Sequence, residues 1–198
     1  MEKAKRTRVM VVLLLMLTIM LYPSMQVSAK KSSLSKEQKK IASTIYKECK
    51  KNWKKYGVLP SVCIGQGIVE SGLGKSCRSN NLWGICSGRI SYKSLKSGIH
   101  GYMKTINNGY YKKAPGQKSY KKQMRAIANG GYCGGSHEHY YQTVINTIKK
   151  YGLSSYDKKM FKEIKKEKKL KKLKKKQKAL QKKMKLNNSE STEQILSE

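Results

Sequence analysis

Acidic side chains are scarce in this 198-residue chain: 11 Asp and Glu stand against 44 Lys and Arg, a formal charge of +33. Such an imbalance implies an anionic partner or work on an anionic surface. Between Tyr56 and Tyr156 the only carboxylates are Glu70 and Glu138, so any carboxylate chemistry in that stretch must use one of them. No Cys-x-x-Cys occurs, and His100, His137 and His139 do not stand at finger-like spacing from a cysteine pair. That argues against zinc, and no metal or organic cofactor is expected. The five cysteines are an odd number, so at least one is unpaired within the chain. We expect small buried residues with one candidate disulfide, Cys77–Cys86.

An apolar run of bilayer length is also missing. Val9 to Tyr22 is apolar but shorter than a typical span, and it follows the basic stretch Met1 to Arg8. This pattern predicts a signal peptide over 1–29, cleaved after Val27-Ser28-Ala29, with an uncleaved anchor as the alternative. An exported, secreted protein is poorly placed to meet chromosomal nucleic acid, so the charge points to a cell wall or membrane surface.

After a short linker, 30–33, Ser35 and Gln38 form a capping-box pattern, and Ile41, Ile45, Cys49 and Trp53 recur every fourth residue before Gly57. Pro60 opens a second helix that ends at Gly72 and Gly74, just beyond Glu70. Leu95 to Ile106, Tyr120 to Ala128 and Tyr140 to Tyr151 carry three further amphipathic patterns, each followed by glycine. Asn80 to Tyr92 breaks the helical period and predicts a short β-hairpin or an irregular loop. The reading is a mainly α domain over 34–157. Beyond it, 158–198 forms a Lys-rich tail, helical or disordered, which could hold the protein on anionic wall polymers or a membrane surface.

Three segments carry a resemblance: Leu59-Pro60-Ser61-Val62, Gln66-Gly67-Ile68-Val69-Glu70-Ser71-Gly72-Leu73-Gly74 and Asn80-Asn81-Leu82-Trp83-Gly84-Ile85. Together with Tyr92-x-Ser94, Gly131-Tyr132 and Tyr140 to Asp157, they resemble the peptidoglycan N-acetylglucosaminidases of glycoside hydrolase family 73. The resemblance implies a lysozyme-like fold and an enzyme that cuts the β-1,4 bond between N-acetylglucosamine and N-acetylmuramic acid in peptidoglycan glycan strands. Glu70 would be its general acid and Tyr132 its cleft tyrosine. Family members include autolysins. The alternatives are a lytic transglycosylase or muramidase cutting the other bond, or a cationic wall binder without activity.

Glycoside cleavage needs a proton on the leaving oxygen, so Glu70 must be protonated when substrate binds, with desolvation outweighing the cationic surroundings. A second group is less defined. Glu138 is the only other carboxylate in the core and could be base or nucleophile, or merely a charge at a helix N-terminus. Otherwise the sugar's own acetamido oxygen attacks, with Tyr132 orienting it. Gln66 lies on the helix face of Glu70. Trp83 could stack on a sugar or pack in the core, and Asn80 and Asn81 could bind hydroxyls or shape a turn. Tyr92 completes the substrate-binding candidates. A monomer is expected.

Overall fold

In a computed structural model, residues 32–195 apart from residue 78 are described, with side chains to residue 181. The predicted signal, 1–29, lies outside the described residues. Six helices form the body: α1 (Lys36–Tyr56), α2 (Pro60–Ser71), α3 (Leu95–Ile106), α4 (Tyr120–Asn129), α5 (His137–Lys150) and α6 (Ser154–Ile195), with a 3-10 turn at Gly109–Tyr111.

Local chemistry sets the helix ends. The Ser35 hydroxyl accepts from Gln38 N at 3.2 Å while Gln38 Oε1 accepts from Ser35 N at 2.9 Å, closing the capping box of α1. Gly57 ends α1 with φ 57°. A Cβ there would lie 2.2 Å from Gly116 N, so glycine is required twice over, for conformation and for the close approach of the 115–116 backbone.

Helix α2 is the centre of the domain. It packs against α1, α4, α5 and α6, and every residue from Pro60 to Gly67 is buried. Fully buried aliphatic side chains such as Ile64 and Ile148 each contribute about 1.5–3 kcal/mol through removal from water. Gly65 admits α5, because a Cβ there would press to 2.7 Å of Ile148 Cγ1. The N-terminus of α2 is capped from far along the chain: Asp157 Oδ1 accepts from Ser61 N at 2.9 Å and Oδ2 from the Ser61 hydroxyl at 2.5 Å. This contact, with Met160 fully buried and Phe161 and Ile164 packed on the core, carries the packed body past Asp157 into the first turns of α6.

Of the two readings for Asn80 to Tyr92, the irregular loop is the one observed. Among the described residues no strand forms. Ser79, Asn80, Cys86 and Ser87 all have φ between 53° and 58°, which breaks any extended run. Asn81 takes the place of a partner strand: its Oδ1 accepts from Ile85 N, and its Nδ2 donates to Ile85 O and Ile90 O, all at 3.0 Å. The expected Cys77–Cys86 bridge is not formed, and all five cysteines are free thiols. Cys77 turns toward the Gly74 carbonyl and Cys86 lies exposed on the loop. Cys49 and Cys63 are both buried, and burial with Cys49 alongside pushes the Cys63 thiol well above its ordinary pKa.

Candidate active site

Glu70 occupies the last turn of α2, one residue before Ser71 and Gly72 end the helix. Carbonyls converging at that end make it electronegative, which disfavours a carboxylate. The glutamate is exposed as a residue, yet its carboxyl has enough protein around it for burial to raise its pKa above the ordinary glutamate value. The opposing influence is not a lysine, as the charge of the chain suggested, but a hydrogen bond from Tyr140.

That bond is the innermost of a series. Tyr140 Oη donates to Glu70 Oε1 at 2.5 Å, Gln66 Nε2 donates to Tyr140 Oη at 2.8 Å, and Tyr102 Oη donates to Gln66 Oε1. Every donor points toward Glu70, and Gln66, Tyr102 and Tyr140 are all buried, so the carboxyl is held from behind by neutral groups. Burial first, then the neighbouring Glu70, pushes the Tyr140 hydroxyl up, and it stays protonated as the donor. The other carboxyl oxygen, Oε2, faces Gly84: a Cβ on that glycine would lie 3.9 Å from it.

Tyr132 joins this group from the turn after α4. Its ring stacks on Tyr140 with centroids 6.0 Å apart and planes 12° from parallel, and its hydroxyl donates to Trp83 O at 3.0 Å. Burial raises its pKa, with Tyr140 and Glu70 adding to the effect. The structure therefore brings Glu70 and Tyr132 into one group of side chains. Tyr140, which sequence reasoning placed in the apolar stripe of α5 and in the segment resembling the family but not among the site residues, is the residue that joins them. A signal was available, since a buried tyrosine hydroxyl needs a polar partner and Glu70 and Gln66 stand four residues apart on one face.

Glu138 is not brought to the site. Tyr140 faces Glu70, and a residue two positions earlier on the same helix points nearly the opposite way. Both Glu138 oxygens are engaged on the outer surface, by the Arg125 guanidinium and by Gln142 Nε2 at 2.7 Å. The Arg125 bond, then that of Gln142, holds Glu138 below the usual carboxylate range. It is the charge in the first turn of α5, the bland alternative for this residue.

Several substrate-binding candidates make contacts within the fold. Trp83 is 1 % exposed, stacked on Tyr102 at 4.7 Å and bonded through Nε1 to Cys63 O at 2.8 Å, so its ring is not offered to a sugar. Gln66 is fully buried with both amide atoms engaged. Asn81 is spent on the loop, and Asn80 Nδ2 donates to Tyr92 O at 2.9 Å. Tyr92 packs on α3 where Gly98 and Gly101 leave room: a Cβ at Gly101 would lie 2.2 Å from its hydroxyl. Asn80, Asn81 and Tyr92 brace the loop carrying Gly84. Among the described residues no cluster of His, Cys, Asp and Glu is built to hold a metal ion.

A family model, Glucosaminidase, described as mannosyl-glycoprotein endo-beta-N-acetylglucosaminidase, matches residues 46–153, more than half of the chain. The solved catalytic domain of the autolysin Auto from Listeria monocytogenes is 24% identical, with a TM-score of 0.50 over 65% of this chain and 92% of that one. A peptidoglycan hydrolase mutant from Sphingomonas sp. A1 is 19% identical, with a TM-score of 0.49 over 59% of this chain and 96% of that one. Likeness at this level of identity speaks to the fold alone, which is the mainly α, lysozyme-like one expected. No curated protein matches the chain.

Proposed function

Because this chain belongs to the Glucosaminidase family of glycoside hydrolases, we propose that it cleaves the β-1,4 bond between N-acetylglucosamine and N-acetylmuramic acid in peptidoglycan, with Glu70 as general acid. The family description names a different glycan, and the moiety common to both substrates is N-acetylglucosamine. A formal charge of +33 favours the anionic wall as the place of work over a neutral mannosyl glycan.

The observation that carries this reading is the asymmetric setting of the Glu70 carboxyl. Oε1 is occupied as acceptor of the Tyr140 bond, so the acid proton belongs on Oε2, the oxygen beside Gly84. Desolvation favours the neutral acid that the reaction needs at its start. The proton passes to the leaving glycosidic oxygen as the bond to the anomeric carbon breaks. Glu138 is fixed to Arg125 and turned away, and Glu70 and Glu138 are the only carboxylates between Tyr56 and Tyr156. Attack therefore falls to the acetamido oxygen of the sugar, which closes an oxazolinium ring on the anomeric carbon. Water then adds to that carbon and breaks its bond to the oxazolinium oxygen, so the ring opens and the acetamido group is regenerated, while the water gives up a proton to the Glu70 carboxylate and restores the acid. In this reading Tyr132, stacked beside Tyr140, helps orient the acetamido group.

Export under a 1–29 signal, action at the wall as a monomer and retention there through the 158–198 tail belong to the same reading. It divides the chain into a 30–33 linker, a catalytic domain over 34–157 and a 158–198 tail whose first turns pack on that domain. Among the described residues no helix is long and apolar enough to cross a membrane.

Digestion of purified peptidoglycan tests the bond. New reducing ends of N-acetylglucosamine are expected, whereas muramic or anhydromuramic ends would reject the assignment. A thiazoline analogue of N-acetylglucosamine, which mimics the oxazolinium, should inhibit competitively. Failure of the analogue to inhibit would reject substrate assistance and leave the role of Glu70 to be tested by its own variants.

A further inference from the structure

The roomiest cavity among those described does not touch Glu70. It lies between the last turns of α1, the 115–118 segment and α6, encloses about 810 Å³, and is lined by Lys51, Lys54, Lys55, Lys118, Lys168 and Lys171. One carboxylate, Glu167, also lines it, but Glu167 and Glu163 are both taken by Lys50, at 2.8 Å and 2.7 Å. Among the described residues, none of the other six lysines pairs with a carboxylate. Lys54 and Lys55 offset the negative end of the α1 macrodipole, which accounts for two of the six. It does not account for cations contributed by the loop and by α6.

We propose that this cavity is a binding site for a chain of repeating phosphate groups, of polyol-phosphate type, distinct from the catalytic centre and independent of the catalytic reading. Six lysines lining one space bring like charges together, and a single phosphate with a charge of about −1.5 to −2 offsets only part of them. A volume in the range of about 300–1,000 Å³ suits a ligand of several units rather than one ion. The cations are all lysines, point charges that follow a flexible polyanion without demanding the planar, bidentate geometry of arginine. Trp53, held edge-on by Phe161 with centroids 5.1 Å apart, and Ile164 supply an apolar wall for the carbon backbone between phosphates. A membrane shares the phosphate chemistry, but a flat headgroup layer meets convex surfaces, whereas these lysines line a hollow between two helices and a loop. Further along α6, Lys174, Lys175 and Lys178 are exposed and do not line this cavity.

The test uses the full chain, titrated by calorimetry at about 0.15 M salt with poly(glycerol phosphate) of defined length, inorganic phosphate or phosphatidylglycerol vesicles. Saturable binding of the polymer is expected, with inorganic phosphate weaker by orders of magnitude. The triple variant Lys51→Gln/Lys54→Gln/Lys55→Gln should weaken polymer binding tenfold or more, whereas Lys174→Gln/Lys175→Gln/Lys178→Gln, which removes the same charge outside the cavity, should change it by about twofold at most. Lys118→Gln/Lys168→Gln/Lys171→Gln spares the end of α1 and should repeat the loss, so the reading does not depend on how well the first variant folds. Equal losses inside and outside the cavity, inorganic phosphate binding as tightly as the polymer, or vesicle binding that exceeds polymer binding would each overturn the proposal.

Discussion

Two glutamates in one domain have been driven in opposite directions. Glu70 ends a helix whose neighbours are buried tyrosines, a glutamine and glycines, and its pKa is raised. Glu138 begins a helix on the surface, bonded to an arginine and a glutamine, and its pKa is lowered. The first is pushed toward its neutral form and the second toward its charged form. The same functional group is thus biased toward neutrality in one place and held as a surface anion in the other, because burial penalises charge where no cation offsets it.

The sharpest way to break this contrast is to neutralise each in turn. Glu70→Gln should lower peptidoglycan cleavage by about 10²–10⁴-fold, the usual range for a general acid, while Glu138→Gln should leave kcat/KM within about twofold. Turnover measured on the same wall preparation decides, and comparable losses for both would undo the distinction drawn between them.

A third carboxylate sharpens the comparison without catalysis. Asp157 is buried against the N-terminus of α2, and burial raises it to about 6 despite two bonds from Ser61. Its folded value lies above the unfolded one, so the stability linked to its protonation is full below about pH 4 and is lost as pH rises to about 6. A shift of about two units corresponds to about 3 kcal/mol. Unfolding free energy followed across that window should fall by about this amount from Asp157, and Asp157→Asn should remove that part of the slope. Glu138 and Glu163, with lowered values, act in the opposite sense and lose their stabilisation only at more acidic pH.

Smaller again is the effect of the bond that tunes Glu70. Tyr140 lowers its pKa against burial, so Tyr140→Phe should raise it further and move the alkaline limb of the kcat/KM profile to higher pH. The carboxyl also loses its anchor, and a drop in kcat of about tenfold is expected. An unmoved alkaline limb would mean that the limb does not report Glu70.

Helix boundaries were legible because they are local. The Ser35–Gln38 box, Pro60, Gly57 and Gly72 each act through neighbours within one turn, and α1 and α2 begin and end where those residues direct. The loop over 80–92 was legible only as a departure from the helical period. Its conformation rests on the long-range fit of Tyr92 into the notch at Gly101 and on Asn81 spanning to Ile90, which spacing alone does not reveal. Trp83, Gln66 and Asn81 are residue types that bind sugars in an open cleft and brace a fold in a core. Nothing in their order along the chain distinguishes the two.

What the sequence alone determined was the helical plan, the extreme basic charge and the short supply of carboxylates, which left Glu70 and Glu138 as candidates. Tertiary structure gave them different surroundings. It set Tyr140, seventy positions along the chain, against one and Arg125 against the other, and it gathered six lysines from α1, a loop and α6 around one cavity. A proton affinity or a binding charge is a property of what surrounds a group in space, and only packing brings distant residues within reach of one another.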